Sequence, residues 1–349
     1  MADKSPGSYE MMPLRSDEIK VGIIQSRVKA INAKDPEKGK QENLDHMFRL
    51  IDIAQLMDAK DLLAFHEFPI GGFDMSWQRE QVLNMAIDIP GKETEAIGKK
   101  AKQYNCYIEF GCYAKLPDWP NHFFNMGVIV GPNGDVIYQR WKTRNLSGFG
   151  FSTTVYDVLD EYVKRYGWDA VFPIARTDIG NIGIIPEVLE PELGRAYAMK
   201  GAEIMIRYMT SGASTWRVKP LALIGGNTHH TFRVDLQAQC MAGHFYGVFV
   251  NDAISTEGEA LDQGMGYSAI IDCDGRIMTE TSSSVETIIS ATIPMVTYRK
   301  NHSILQFPKD LYMHLYDEYT PRIPPNTFLE SMPNSMMDGV RHYQEKARW

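Results

Sequence analysis

The chain has 349 residues, of which 44% are hydrophobic and 23% are charged, values typical of a globular protein with a sizeable core. Its net charge of −8 argues against a nucleic-acid-binding surface, which needs clustered positive charge. The sequence contains neither the apolar run of a signal peptide at its start nor a run of the roughly 20 apolar residues needed for a membrane span. We therefore expect a cytoplasmic protein with reduced cysteines, no nucleic-acid partner and no membrane association.

Short apolar runs alternate with amphipathic segments along the first half of the chain. Their periodicity distinguishes the two kinds of element, because helices repeat their apolar positions every three to four residues and buried strands are short and continuous. It predicts strands at 20–25, 62–65, 106–112, 126–130 and 136–138, and helices at about 40–58, 92–104 and 153–166. The fourth and fifth strands flank the turn-forming sequence Gly-Pro-Asn-Gly-Asp at 131–135, which indicates a hairpin.

The second half repeats this alternation. Strands are predicted at 182–185, 204–206 and 246–250, helices at 191–201 and about 227–243, and a second hairpin at 268–271 and 276–279. Strands that alternate with helices are typical of an α/β fold, and the hairpins make its sheets mixed rather than purely parallel. We expect one domain at 19–294, an N-terminal arm at 1–18 and a C-terminal tail at 295–349.

Polar residues follow three of the predicted core strands. They are Glu67 in His-Glu-Phe-Pro, Lys142 in Arg-Trp-Lys-Thr, and Glu187 in Ile-Pro-Glu. Sites in α/β proteins form at the carboxyl ends of strands, so Glu67 and Lys142 are candidates for an acid–base pair. A purely structural ion pair between the same two residues is the alternative, and the residues alone do not separate the two.

Several segments together resemble the nitrilase superfamily, and in particular its aliphatic amidases and formamidases. The resemblance covers residues 19 to 315 and depends on the order and spacing of short motifs. These are Val21–Gln25, His66–Pro69, Tyr138–Lys142, Gly183–Glu192, Arg195–Glu203 and Gly266–Ile277. The resemblance implies a four-layer α-β-β-α sandwich, with Glu67 as the general base and Lys142 as the catalytic lysine.

The chain departs from this family at the nucleophile. The family usually keeps a cysteine six residues before a Pro-Glu pair, and counting back from Pro191 gives Ile185, which has no nucleophilic atom. The second glutamate that the family has after its lysine is also missing, since residues 143–158 contain no Glu. An insertion with a helical pattern, Val155 to Tyr166, follows instead. A thioester intermediate at Ile185 is impossible.

Other candidates for chemistry are weaker. Cys106 and Cys112 share one face of a predicted strand and are interpreted as small core residues rather than as a displaced nucleophile. His229 and His230 are adjacent, and a helix would point them about 100° apart, which is poor geometry for one metal ion. The chain also lacks the Gly-rich loop that a dinucleotide needs. We expect no metal and no cofactor.

Two functions of different class remain. The first is an amidase-like enzyme that acts on a small carbonyl or C–N compound without a thioester, by hydrolysis, hydration or a lyase-type proton transfer. In it Glu67 is the base or acid, Lys142 stabilises negative charge, and Glu187 lies beside the lost nucleophile position. The second is a catalytically inactive relative that binds a ligand or partner. The family resemblance also implies a homo-oligomer, at least a dimer, in which the C-terminal tail packs on a neighbour.

Overall fold

The computed structural model describes residues 9–145, 150–210, 228–254, 266–302 and 307–349. Their strands are Ile19–Gln25 (β1), Leu62–Ala64 (β2), Ile87–Asp88 (β3), Tyr107–Lys115 (β4), Phe124–Val130 (β5), Val136–Trp141 (β6), Ala175–Thr177 (β7), Gly180–Ile184 (β8), Ile204–Tyr208 (β9), Tyr246–Val250 (β10), Ala269–Ile271 (β11), Ile277–Glu280 (β12) and Thr287–Ile293 (β13). Their α-helices are Pro36–Met57 (α1), Arg79–Met85 (α2), Lys92–Tyr104 (α3), Leu159–Tyr166 (α4), Pro191–Met199 (α5), Thr228–Gly243 (α6), Met295–Asn301 (α7), Met313–Glu318 (α8) and Met336–Lys346 (α9).

The strands form two mixed sheets. The first has the order β13-β1-β2-β4-β5-β6, with β3 paired to β4, and the second has the order β12-β11-β10-β9-β8-β7. Strands β1, β2 and β4 run parallel, as do β8, β9 and β10, whereas the hairpin strands and β13 are antiparallel. This arrangement confirms the predicted α/β class with mixed sheets.

Apolar side chains bury three interfaces between four layers. Ile23, Ala64 and Ile129 of the first sheet meet Ile206 and Val248 of the second in one cluster. Helices α1 and α3 cover the outer face of the first sheet, and α5 and α6 cover the outer face of the second. The α-β-β-α sandwich follows from strands whose two faces are both apolar, because each sheet must be covered on both sides.

The structure differs from the predicted elements mainly at the periphery. Strand β13 was not predicted, because its sequence Thr-Ile-Ile-Ser-Ala-Thr-Ile shows little alternation of apolar and polar residues. In the structure most of its residues are half-buried. It is an edge strand held by seven residue pairs with β1, from Ile19 with Ile293 to Gln25 with Thr287. The predicted helix at 153–166 is a 3₁₀ turn, Tyr156–Val158, followed by α4. The described part of the tail contains the helices α7, α8 and α9, for which no prediction was made from the sequence.

A pair of glycines permits two close approaches in the middle of the first sheet. Gly111 of β4 lies opposite Gly127 of β5. A Cβ atom at Gly111 would lie 2.8 Å from the Cα of Glu67, and one at Gly127 would lie 2.9 Å from Tyr208 of the second sheet. Because glycine has no side chain, the Glu67 backbone can pack closely against β4 at Gly111, and the second sheet can pack closely against β5 at Gly127.

Glu109 is a buried acid for which the described residues supply no neighbouring cation. Glu109 of β4 is fully buried and pairs with Ala64 and Ile129, which belong to the cluster between the sheets. Neither of its carboxylate oxygens has a hydrogen-bond partner with normal geometry in the described residues. Burial raises the pKa of Glu109 well above its usual range, and the Phe65 N–H offsets this only in part. Burial therefore favours the neutral, protonated form of Glu109 in the folded protein.

We predict that Glu109→Gln stabilises the protein as pH rises. In the unfolded chain the carboxyl loses its proton above about pH 4.3, whereas the folded chain retains it. Above this pH the native state binds more protons than the unfolded state. The free energy of unfolding of the wild type therefore falls as pH rises from about 4.3 to the pKa of Glu109 in the folded protein, by at most about 1.4 kcal/mol per pH unit. Urea unfolding of both proteins between pH 5 and 8 measures the difference. A difference in unfolding free energy that stays constant over this range would contradict a neutral Glu109.

Candidate active site

Glu67 follows β2 and lies where the two sheets meet. Its backbone N–H donates to the carbonyl oxygen of Met209, just after β9, over 3.3 Å. Its chain passes over Gly111, whose N–H donates to the carbonyl oxygen of His66 over 3.2 Å. A residue at this point can contact the carboxyl ends of strands in both sheets, which is where α/β proteins place reactive groups.

The Glu67 carboxylate is surrounded by donors. Its Oε1 accepts a hydrogen bond from Nδ2 of Asn125 over 2.5 Å, and its Oε2 accepts one from the backbone N–H of Thr210 over 3.0 Å. The Nζ atom of Lys142 lies 3.7 Å from Oε1. Hydrogen bonds to both oxygens therefore fix the orientation of the carboxylate.

Lys142 reaches this carboxylate through the β5–β6 hairpin. Strand β6 ends at Trp141, and the N–H of Lys142 then donates to the carbonyl oxygen of Asn125 over 2.9 Å. The two predicted residues therefore come together, with side-chain exposures of 18% for Lys142 and 9% for Glu67. Because 3.7 Å is longer than a normal hydrogen bond, this contact leaves the ammonium group able to donate to a bound molecule.

Glu187 belongs to a different ion pair. Its carboxylate lies 2.9 Å from Nη1 of Arg140 and accepts a hydrogen bond from Nη2 over 3.0 Å. The backbone N–H and the hydroxyl group of Thr143 donate to the same carboxylate. Burial alone would raise the pKa of Glu187, but the charge of Arg140 and these hydrogen bonds outweigh it and lower the pKa. The structure thus gives Glu187 a buried partner that the sequence did not indicate.

Ile185 is completely buried. Its N–H donates to the carbonyl oxygen of Ile206 over 2.8 Å, and its own carbonyl accepts from Nε of Arg207 over 3.2 Å. Its side chain belongs to the apolar cluster under α5 and α6. That cluster includes Met209, whose carbonyl oxygen binds the Glu67 N–H, so it borders the Glu67 segment.

Three residues at this site were not predicted from the sequence: Asn125, Tyr208 and Thr210. The hydroxyl group of Tyr208 donates to Oδ1 of Asn125 over 3.3 Å, which orients the amide so that its Nδ2 faces Glu67. Asn125 gives the one usable signal, because it is the only strongly polar residue in β5, a strand whose seven residues are all buried. A buried amide in such a strand indicates a fixed partner.

The cysteines have the surroundings of core residues. Cys106, Cys112 and Cys240 are buried, and burial raises the pKa of Cys106 to about 11. Burial also raises the pKa of Cys112, so both groups are thiols rather than nucleophilic thiolates at neutral pH. The described residues contain no cluster of three His, Cys, Asp or Glu side chains suited to a metal ion. His230 is exposed, and the side chain of His229 lies outside the described residues.

The insertion after Lys142 borders a cavity of about 860 Å³. Its walls come from residues 143–145, 155–159 and 168–172, from the segment 189–196, and from the tail at 319–323 and Tyr343. Neither Glu67 nor Lys142 is among its lining residues, although Thr143, the next residue after Lys142, is. In the part of the chain that the structure describes, no helix is both long and apolar enough to cross a membrane.

A family model for carbon-nitrogen hydrolases matches residues 20–302, which include every residue of the site. The chain belongs to the carbon-nitrogen hydrolase family. It is 23% identical over 244 residues to a formamidase of Helicobacter acinonychis, with 65% of each chain covered. It is 25% identical over 214 residues to a formamidase of Bacillus cereus, with 58% of each covered. The chain thus spans somewhat less than two thirds of these relatives.

Solved structures of this family share the fold. A carbon-nitrogen hydrolase of Helicobacter pylori G27 has a TM-score of 0.63 at 16% identity, covering 84% of this chain and 98% of that one. An amidase of the nitrilase superfamily from Nesterenkonia AN1 has a TM-score of 0.58 at 14% identity, covering 85% and 97%. The nitrilase-superfamily fold, with amidases and formamidases among the relatives, confirms the family that the sequence motifs indicated.

We predict that Glu187→Gln lowers the free energy of unfolding by about 3–5 kcal/mol, because it leaves Arg140 buried without a counter-charge. Chemical denaturation measures the change. Glu161→Gln is the matched control, since Glu161 pairs with Lys164 and Arg165 on the exposed surface of α4. Loss of such surface pairs costs about 1 kcal/mol or less. Equal effects of the two substitutions would contradict a structural role for the Arg140–Glu187 pair.

Proposed function

We propose that this chain is an amidase-like hydrolase that uses Glu67 and Lys142 to add water to a small carbonyl or C–N compound without a covalent intermediate. The observation that carries the proposal is the geometry of the Glu67 carboxylate, which is fixed by Asn125 and Thr210 and lies 3.7 Å from the Lys142 ammonium. A proton acceptor and a cation at one point are what acid–base catalysis on a carbonyl group requires.

The proposed reaction on an amide begins with proton transfer from water to Glu67 as the water oxygen bonds to the carbonyl carbon. The Lys142 ammonium stabilises the oxyanion that forms on the carbonyl oxygen. The C–N bond then breaks, and Glu67 returns the proton to the departing nitrogen. Amide and water thus yield a carboxylic acid and an amine. The same two groups can also serve hydration of a nitrile-like carbon or a lyase-type proton transfer.

We infer from the spacing of the family motif, counted back from Pro191, that Ile185 occupies the position at which the family carries its thiol nucleophile. A mutant of the amidase from Nesterenkonia sp. AN1 shows covalent addition of the acetamide moiety of fluoroacetamide at its active-site cysteine. Loss of the nucleophile in a triad enzyme costs on the order of 10⁶ in turnover. We therefore expect only very slow hydrolysis of acetamide and formamide, and a true substrate that is intrinsically more reactive.

Glu67→Gln and Lys142→Ala separate catalysis from the alternative of an inactive binding protein. If the pair is catalytic, each change lowers turnover of activated carbonyl compounds by about 10²–10⁴-fold, the usual contribution of a general acid–base group. Steady-state hydrolysis of an aryl ester such as p-nitrophenyl acetate gives the measurement, with circular dichroism to verify folding. Turnover that persists unchanged in both variants would show that Glu67 and Lys142 form a structural ion pair only.

We also propose that a second copy of the chain covers the exposed part of the tail. Helix α8 has no buried residue, although the segment around it is rich in large apolar side chains. Among these, Leu311 is 72% exposed, Leu315 64% and Tyr319 67%. The later tail instead packs on its own chain through Phe328, Met336 and Tyr343. An apolar stretch of this kind is typical of a protein interface.

Changing Leu311 and Leu315 together to Lys is expected to lower the molar mass in solution, because two charges cannot be desolvated in an apolar interface. Light scattering coupled to gel filtration measures the mass of each variant. Leu56→Lys is the matched control, since Leu56 of α1 is 80% exposed. If the doubly substituted chain keeps the mass of the wild type, another surface forms the assembly; a monomeric wild type would refute the proposal directly.

A further inference from the structure

A hydroxyl group close to Glu67 has no hydrogen-bond partner among the described residues. Thr210 follows β9, and its backbone N–H donates to Oε2 of Glu67 over 3.0 Å. Its side-chain Oγ1 atom is buried but has no hydrogen-bond partner in the described residues. A buried hydroxyl group left unpaired costs about 1–3 kcal/mol, so such groups in proteins are usually bonded to water or to a ligand.

The covalent geometry of Thr210 keeps this hydroxyl group near the proposed base. Oγ1 is three bonds from the backbone nitrogen, and standard bond lengths place it within about 4 Å of that atom. Since the nitrogen lies 3.0 Å from Oε2 of Glu67, the two oxygens are less than about 7 Å apart. One water molecule with two ordinary hydrogen bonds spans up to about 5.6 Å, a length that falls inside this limit.

The Glu67 carboxylate has acceptor capacity left for such a water molecule. Oε1 is occupied by Asn125 and faces Lys142, whereas Oε2 accepts only the Thr210 N–H among the described contacts. A carboxylate oxygen has two lone-pair sites, so Oε2 can accept one more hydrogen bond. The free lone pair and the unpaired Oγ1 belong to neighbouring groups, and both need a hydrogen-bond partner.

We propose that Thr210 is the residue that positions the attacking water beside Glu67. This water takes the place of the thiol nucleophile that is missing at Ile185. The inference rests on the proposed function. In it Oγ1 and Oε2 bind one water molecule, Glu67 takes a proton from that water as its oxygen bonds to the carbonyl carbon, and Glu67 later protonates the leaving nitrogen. Thr210 itself gains and loses no covalent bond. The resulting specificity is for substrates small enough to leave this water in place.

Crystal structures of the wild type and of Thr210→Val test the water site without any activity. We expect an ordered water molecule within about 3.2 Å of both Oγ1 and Oε2 in the wild type. Valine has nearly the same shape but no hydroxyl group, so this water should be absent or displaced in the variant. A wild-type structure in which Oγ1 bonds directly to a protein group, or in which the same water persists in Thr210→Val, would overturn the inference.

Hydrolysis of p-nitrophenyl acetate tests the function of the water. We expect Thr210→Val to lower kcat about 10- to 100-fold with little change in KM, and Thr210→Ser to restore most of the rate because it retains the hydroxyl group. If Glu67→Gln abolishes turnover but Thr210→Val does not, the Glu67–Lys142 function stands and the role of Thr210 is refuted. An acetyl group found on Thr210 by mass spectrometry would also refute it, since Thr210 would then be the nucleophile.

Discussion

The carboxylate of Glu67 joins the two halves of the sandwich at the point where chemistry is proposed. One oxygen accepts from Asn125 of the first sheet, and the other accepts from Thr210, which follows the central strand of the second. Its backbone is bound to Met209 and lies over Gly111, where no side chain is present to displace it. The position of Glu67 therefore depends on the packing of both sheets, and a change in sheet separation would move the carboxylate from its donors.

The buried charges around this point divide into sets with different consequences. Arg140 and Glu187 neutralise each other at close range, with their side chains 1% and 3% exposed. Lys142 and Glu67 are farther apart, and the Lys142 side chain is 18% exposed although Glu67 is buried, so the pair retains capacity for a third group. A tight buried ion pair fixes its two side chains in place, although removing both charges from water costs free energy. In a looser pair beside solvent, either charged group can instead bind a ligand. This contrast is the physical reason for assigning structure to one pair and chemistry to the other.

The sequence predicted the elements that depend on local periodicity and turn chemistry. The central strands and the two hairpins agree with their predicted positions, and the polar strand ends led to Glu67 and Lys142. Contacts between the two sheets could not be predicted from the sequence, because they depend on how strands that are distant in the chain pack against one another. The pairing of Glu187 with Arg140 and the contact of Thr210 with Glu67 are of this kind. Strand β13 was not predicted for a related reason. It is formed by pairing with β1, and its own sequence has little alternation of apolar and polar residues.

Reactivity of Ile185→Cys tests the central claim most directly, namely that a competent Glu67–Lys142 pair remains beside a lost nucleophile position. A thiol next to a base and a cation has a lowered pKa and is readily acylated. Mass spectrometry after brief exposure to p-nitrophenyl acetate should find an acetyl group at position 185, and Lys142→Ala in the same chain should slow its formation. Acylation no faster than that of Cys106, with or without Lys142, would show that position 185 lies outside the site and would contradict the account.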